Sequence, residues 1–107
     1  ALEEKLYLTQ YFYDEIKKIK GFEVGPEPEL SIAIFRYIPT DKNADSFNKK
    51  LIKAIQNDGR IFLSSTTING TFWIRIAVVS FRTHLVQIEL LLDIIKANVR
   101  KISIDLN

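Results

Sequence analysis

The chain has 107 residues, 47% hydrophobic and 26% charged, which is the profile of one globular domain and excludes a disordered tail or a fibre. Its net charge is +2, from 15 basic and 13 acidic residues dispersed along it, too balanced for a nucleic-acid binder. With no cysteine and one histidine, it excludes disulfide frameworks, iron–sulfur clusters, thiolate zinc and histidine-rich metal centres.

In chain order, residues 2–20 read as a helix. Leu2, Leu6, Leu8, Tyr13, Ile16 and Ile19 recur at helical spacing, and Leu8 and Phe12 widen the apolar stripe. Lys17, Lys18 and Lys20 suit the negative end of its dipole, and Gly21 is placed to stop it. Phe22 to Val24 reads as a short strand and Gly25-Pro26-Glu27-Pro28 as a turn. Leu30 to Tyr37, rich in branched and aromatic residues, predicts a second strand ended by Pro39. Helix caps are available from Asp41 to Asp45. Phe47, Leu51, Ile52 and Ile55 then form an amphipathic stripe closed by Gly59. Arg60 to Ile68 and Thr71 to Ser80 are strands joined by Asn69-Gly70, a strong hairpin signal. Thr83 is placed to cap a last helix carrying Ile88, Leu91, Leu92, Ile95 and Val99. The tail from Ile102 to Asn107 alternates weakly, as a strand or a frayed end would. This order predicts an α+β domain over residues 1–107: a mostly antiparallel four-stranded sheet with about three helices on one face.

No apolar run approaches the ~20 residues of a membrane span; the longest, Trp73 to Val79, is broken by Arg75. The acidic start lacks the pattern of a secretory signal, so a cytoplasmic location and no membrane partner are expected. The absence of any methionine fits either processing or a piece cut from a longer protein.

Alternation along the last strand places Phe72, Ile74, Ile76 and Val78 on one face, toward the helices. The opposite face carries Thr71, Trp73, Arg75, Ala77 and Val79, where a solvated face would be polar. Neither alternate set of the preceding strand contains a charge. The second face is therefore expected to meet a partner domain or a second copy. Arg75 stands in the middle of it. One reading pairs its head with a carboxylate or carbonyl for structure alone; the other makes it a carboxylate clamp, because the guanidinium fork grips carboxylate bidentately. Trp73, two residues earlier, is read as packing on whatever covers the face. His84 opens the last helix with no triad motif around it and reads as solvated or capping. Tyr7, Tyr11 and Tyr13 read as packing or interface residues. No glycine-rich phosphate loop or lysine/arginine-Gly-aromatic RNA motif is present, and Glu3-Glu4 and Asp14-Glu15 read as solvated helix faces, so no carboxylate pair is assigned to acid–base work.

Several segments together resemble the group II pyridoxal-phosphate-dependent amino-acid decarboxylases. Ile34-Phe35-Arg36-Tyr37 is similar to their "cFR" strand. Asn48-Lys49-Lys50-Leu51-Ile52, with Ile55 and Asp58-Gly59-Arg60, is similar to their "N-x-x-L" helix. Ile61 to Thr66 and Gly70 to Ala77 resemble the paired strands that end in "G-x-x-x-(L/I)-R", and Thr83 the threonine that opens the last helix. The resemblance implies the C-terminal small domain of these fold type I enzymes, inactive alone. Pyridoxal phosphate would be held by a preceding large domain, because the family's lysine beside a histidine has no counterpart here. It implies packing on that domain, a homodimeric full-length enzyme and an amino-acid substrate of the aromatic, glutamate or diaminobutyrate kind. One functional residue carries over: Arg75 resembles the arginine that pairs with the substrate's α-carboxylate in the glutamate branch. Holding that carboxylate perpendicular to the cofactor ring is what carboxylate loss requires. Val78 to Arg82 lacks the asparagine that follows this strand in some branches. The other reading is a stand-alone α+β module that binds a ligand or dimerises through its sheet.

Overall fold

A computed structural model describes residues 2–56, 61–79 and 83–105. The first helix, α1 (Leu2–Lys18), has Glu3 and Glu4 in its first turn and Lys17 and Lys18 in its last, each sign at the dipole end that favours it. It stops two residues earlier than its periodicity predicts. Gly21 then turns the chain at φ 94°, and a Cβ there would come within 2.5 Å of the Tyr37 ring. The chain runs into β1 (Phe22–Val24), and β2 (Ile32–Tyr37) returns beside it. β2 starts two residues later than expected because Leu30 turns the chain at φ 56° and leaves its side chain in solvent.

Asn43 caps α2 (Ala44–Ile55), its side-chain oxygen accepting the Ser46 N–H at 2.9 Å. Phe47, Leu51, Ile52 and Ile55 are buried, as their spacing predicts. Asn48 shares that burial. Its side chain accepts the Tyr37 N–H at 2.9 Å and donates to the carbonyls of Tyr37 at 2.9 Å and Ala44 at 2.8 Å. The amide thus takes the place of β4, whose pairing with β2 ends at Phe35, and fastens α2 to the sheet. The closure of α2 by Gly59 lies outside the described residues.

The strands β3 (Ile61–Ile68) and β4 (Thr71–Val78) meet through Asn69 and Gly70, at φ 52° and 79°. Two successive positive values make the type I′ turn whose twist suits a two-residue hairpin. The sheet order is β1-β2-β4-β3, antiparallel throughout.

The last helix, α3 (Leu85–Asp105), begins where the His84 carbonyl accepts from Gln87 and Ile88. The Gln87 side chain reaches back to accept the His84 N–H at 2.7 Å, half of a capping box. Thr83, the expected cap, is buried just before it. The weak alternation from Ile102 is not a strand. Ile102 extends the buried series Ile88, Ile95, Ile102, and this heptad spacing keeps the chain helical through Asp105. Helices α1 and α2 lie on one sheet face, and α3 packs along both. Between helices and sheet sits one core, with Phe12, Phe35, Phe47, Ile74 and Ile76 fully enclosed. The rings of Phe12 and Phe35 meet edge to face at 5.3 Å.

Candidate functional site on the open sheet face

Register places the uncovered face strand by strand. Ile34 of β2, Arg75 of β4 and Ser64 of β3 lie in one row across the sheet. The row beside it holds Ile32, Ala77 and Phe62, and Thr66 pairs with Trp73 on the other side. Phe62 is 53% exposed and Ile68 44%, so apolar surface lies open around the row. Pro26, Leu30, Ile32, Ile34 and Ile68 line a shallow hollow of about 450 Å³ there.

Arg75 sits centrally on this face and is half-buried. Its Nη1 donates to Ser64 Oγ at 3.4 Å, a long and weak bond. Among the described residues, no carboxylate forms an ion pair with it. The guanidinium therefore keeps most of its donor capacity for something beyond these residues.

The next cation on the face is arranged differently. Arg36, at the end of β2, reaches Glu23 Oε1 and Asp45 Oδ1, each at 3.4 Å. Its guanidinium lies over Trp73, 5.6 Å from the ring centroid, and its Nε is buried without a partner. Asp45 also accepts the Phe72 N–H at 3.3 Å, so one carboxylate joins α2 to β2 and β4. Sequence reasoning missed this pair as a site. The signal was there: Arg36 follows Ile32 and Ile34 at period two and so shares their face. Trp73 carries the Arg36 head instead of lying bare, while Arg75 two residues on carries no acid among the described residues.

The remaining candidates lie elsewhere. His84 is exposed, 3.8 Å from Glu4. Tyr13 is buried and donates to the Gly25 carbonyl at 2.8 Å; burial, then Glu27 and Asp14, raise its pKa. Tyr7 stacks on Tyr11 at 6.5 Å, and Tyr11 donates to Glu89 at 3.3 Å. Among the described residues no metal-binding cluster occurs, and no helix is long and apolar enough to cross a membrane. The described open face has neither lysine nor histidine, so it does not fit a covalently held aldehyde cofactor.

No family model matches the chain. It is 31% identical over 80 residues to tyrosine decarboxylase 2 of Arabidopsis thaliana, covering 72% of this chain and 15% of that protein. It is 30% identical over 108 residues to an aromatic-L-amino-acid decarboxylase of Bacillus atrophaeus, covering 97% of this chain and 22% of the relative. The crystal structure of Oryza sativa TDC with PLP and tryptamine superposes with a TM-score of 0.84 at 20% identity, over 95% of this chain and 23% of that one. At that identity the likeness shows the fold, an α+β small domain found in these enzymes. The chain spans about a fifth of the relatives' length.

Proposed function

We propose that this chain, alike in sequence and fold to a segment of the group II pyridoxal-phosphate-dependent amino-acid decarboxylases, is the C-terminal lobe of such an enzyme. Residues 1–107 form one small domain in this reading, and the open sheet face packs on a larger domain that holds pyridoxal phosphate. The observation that carries it is the open face itself: exposed apolar residues ring an arginine with no acid partner among the described residues. An interdomain surface over a carboxylate substrate has those two properties together.

Arg75 would take the substrate's α-carboxylate in its fork and fix the direction of the bond to be broken. The electron sink for that bond comes from the cofactor, which the described residues of this chain do not fit and which the larger domain would hold. Ser64 would steer the guanidinium from one side. Arg36 differs: bound to Glu23 and Asp45 and lying over Trp73, it is a fastening of the face and not a clamp. The names of the curated relatives, decarboxylases of tyrosine, tryptophan and aromatic amino acids, support an aromatic substrate. A homodimeric, cytoplasmic enzyme belongs to the same reading.

The test is substitution of Arg75 in the product of the complete reading frame. Arg75→Ala should lower kcat/KM for decarboxylation by about 10²-fold, the scale of a lost positioning contact, and Arg75→Lys should recover part of it. Cofactor absorbance should stay unchanged. Full activity in Arg75→Ala would remove the clamp.

A further inference from the structure

The helix α3 is apolar on two sides. Its inner side carries the buried Ile88, Leu91, Ile95, Val99 and Ile102. On the outer side Val86 is 63% exposed, Leu90 57%, Ile94 38% and Ile104 72%. Ala97 and Lys101, also exposed, complete the series 86, 90, 94, 97, 101, 104. These six positions fall within an arc of about 80° at 100° per residue, diametrically opposite the core. The steps of three and four are the seam of a helix pair. A surface helix serving only its own core would be polar there.

The charges beside this seam name what covers it. Glu89, Asp93, Lys96 and Arg100 all lie on one flank, acidic toward the start of α3 and basic toward its end. A two-fold axis perpendicular to a pair of α3 helices reverses their direction while keeping each flank on the same side. Asp93 of each copy then faces Arg100 of the other, twice, across the axis. In the same register Ile94 meets the small Ala97, and Leu90 meets the aliphatic stem of Lys101. A parallel pair, whose two-fold axis runs along the helices, would instead turn this flank toward the partner's opposite flank, where the uncharged Gln87 and Asn98 lie. We infer that α3 is a self-association surface, on which a second copy of this chain docks its own α3 antiparallel.

The surface lies on the helical layer, away from the open sheet face, so both can be occupied at once. A stripe one helix wide sits at the small end of specific interfaces, so the dimer is weak and concentration-dependent. Asp93 is 72% exposed and its bond to Lys96, 3.5 Å in the same helix, is an ordinary surface pair that yields readily to Arg100 of another copy.

Sedimentation velocity on the 107-residue chain, over a concentration series, tests this. The chain should dimerise, and Leu90→Glu should weaken the dimer at least ~10-fold with unchanged circular dichroism. Phe62→Glu, on the open sheet face, should leave it intact. Asp93→Arg and Arg100→Asp should each weaken it several-fold, and the double exchange should restore it. A chain monomeric at high micromolar concentration would overturn the inference. So would a dimer abolished by Phe62→Glu but not by Leu90→Glu, or one indifferent to the charge exchange.

Discussion

Asn48 is the side chain whose removal this fold should feel most for its size. Its amide satisfies both backbone groups of Tyr37 on the side of β2 where the pairing with β4 has already ended. Asn48→Ala leaves that N–H and that carbonyl beneath α2 without partners. Each buried unsatisfied group costs about 1–3 kcal/mol, so for the two the loss should be about 2–6 kcal/mol. A domain of this size has about 5–15 kcal/mol in all, so the variant should be visibly destabilised and still folded. Asn48→Asp separates hydrogen bonding from volume. One oxygen keeps the Tyr37 N–H, but the other faces the carbonyls of Tyr37 and Ala44, where only a proton-bearing group fits. The native state then holds the proton more tightly than the unfolded chain does. That stability is present below the unfolded aspartate pKa of about 4 and is lost as pH rises through the higher native value. Urea unfolding followed by circular dichroism and by the single tryptophan, Trp73, measures both. A loss below about 0.5 kcal/mol in Asn48→Ala would refute the reasoning, as would an Asn48→Asp stability flat from about pH 4 to 7.

Three further substitutions have definite outcomes. Gly21→Ala meets both a left-handed backbone and the Tyr37 ring, so it should cost about 1–3 kcal/mol in the same urea assay. Tyr13→Phe should cost about 1 kcal/mol at neutral pH, for one hydrogen bond to Gly25. Burial raises the native pKa of Tyr13, so its contribution is complete below the ordinary tyrosine value and fades as pH rises through the native one. The melting temperature of the phenylalanine variant should therefore fall less steeply above about pH 10 than that of the parent. Arg75→Met in the 107-residue chain should change stability by less than about 0.5 kcal/mol, because only the long Ser64 bond is lost. A larger loss would point to a structural role.

Much of this architecture is local chemistry and so was legible in the sequence. Asn69-Gly70 permits the two positive φ values that the hairpin needs, and the alternation on β4 separates core from open face without knowledge of its neighbours. Boundaries were less legible. Leu30 belongs by composition to the strand, yet the chain turns there, a choice made by the loop after Pro28 and not by propensity. The tail failed for a related reason: Ile102 and Ile104 alternate like a strand, and only the depth of Ile102 against the other helices shows which period governs. In the site, Arg75 was legible because a charge interrupts an apolar run. For Arg36 the face was legible from its period-two spacing, but its partners were not, because Glu23, Asp45 and Trp73 are brought to it by three different elements. Asn48 likewise reads as a helix residue until Tyr37 is placed beside it.

The most direct test of the central claim uses the product of the complete reading frame that encodes this chain. Its visible absorption would be recorded, and carbon dioxide release followed with tyrosine, tryptophan and other carboxyl-labelled amino acids. A protein that carries the absorbance of bound pyridoxal phosphate and releases carbon dioxide from an aromatic amino acid is the predicted result. A colourless product no longer than these 107 residues, releasing none, would contradict it and leave the open sheet face to a different ligand.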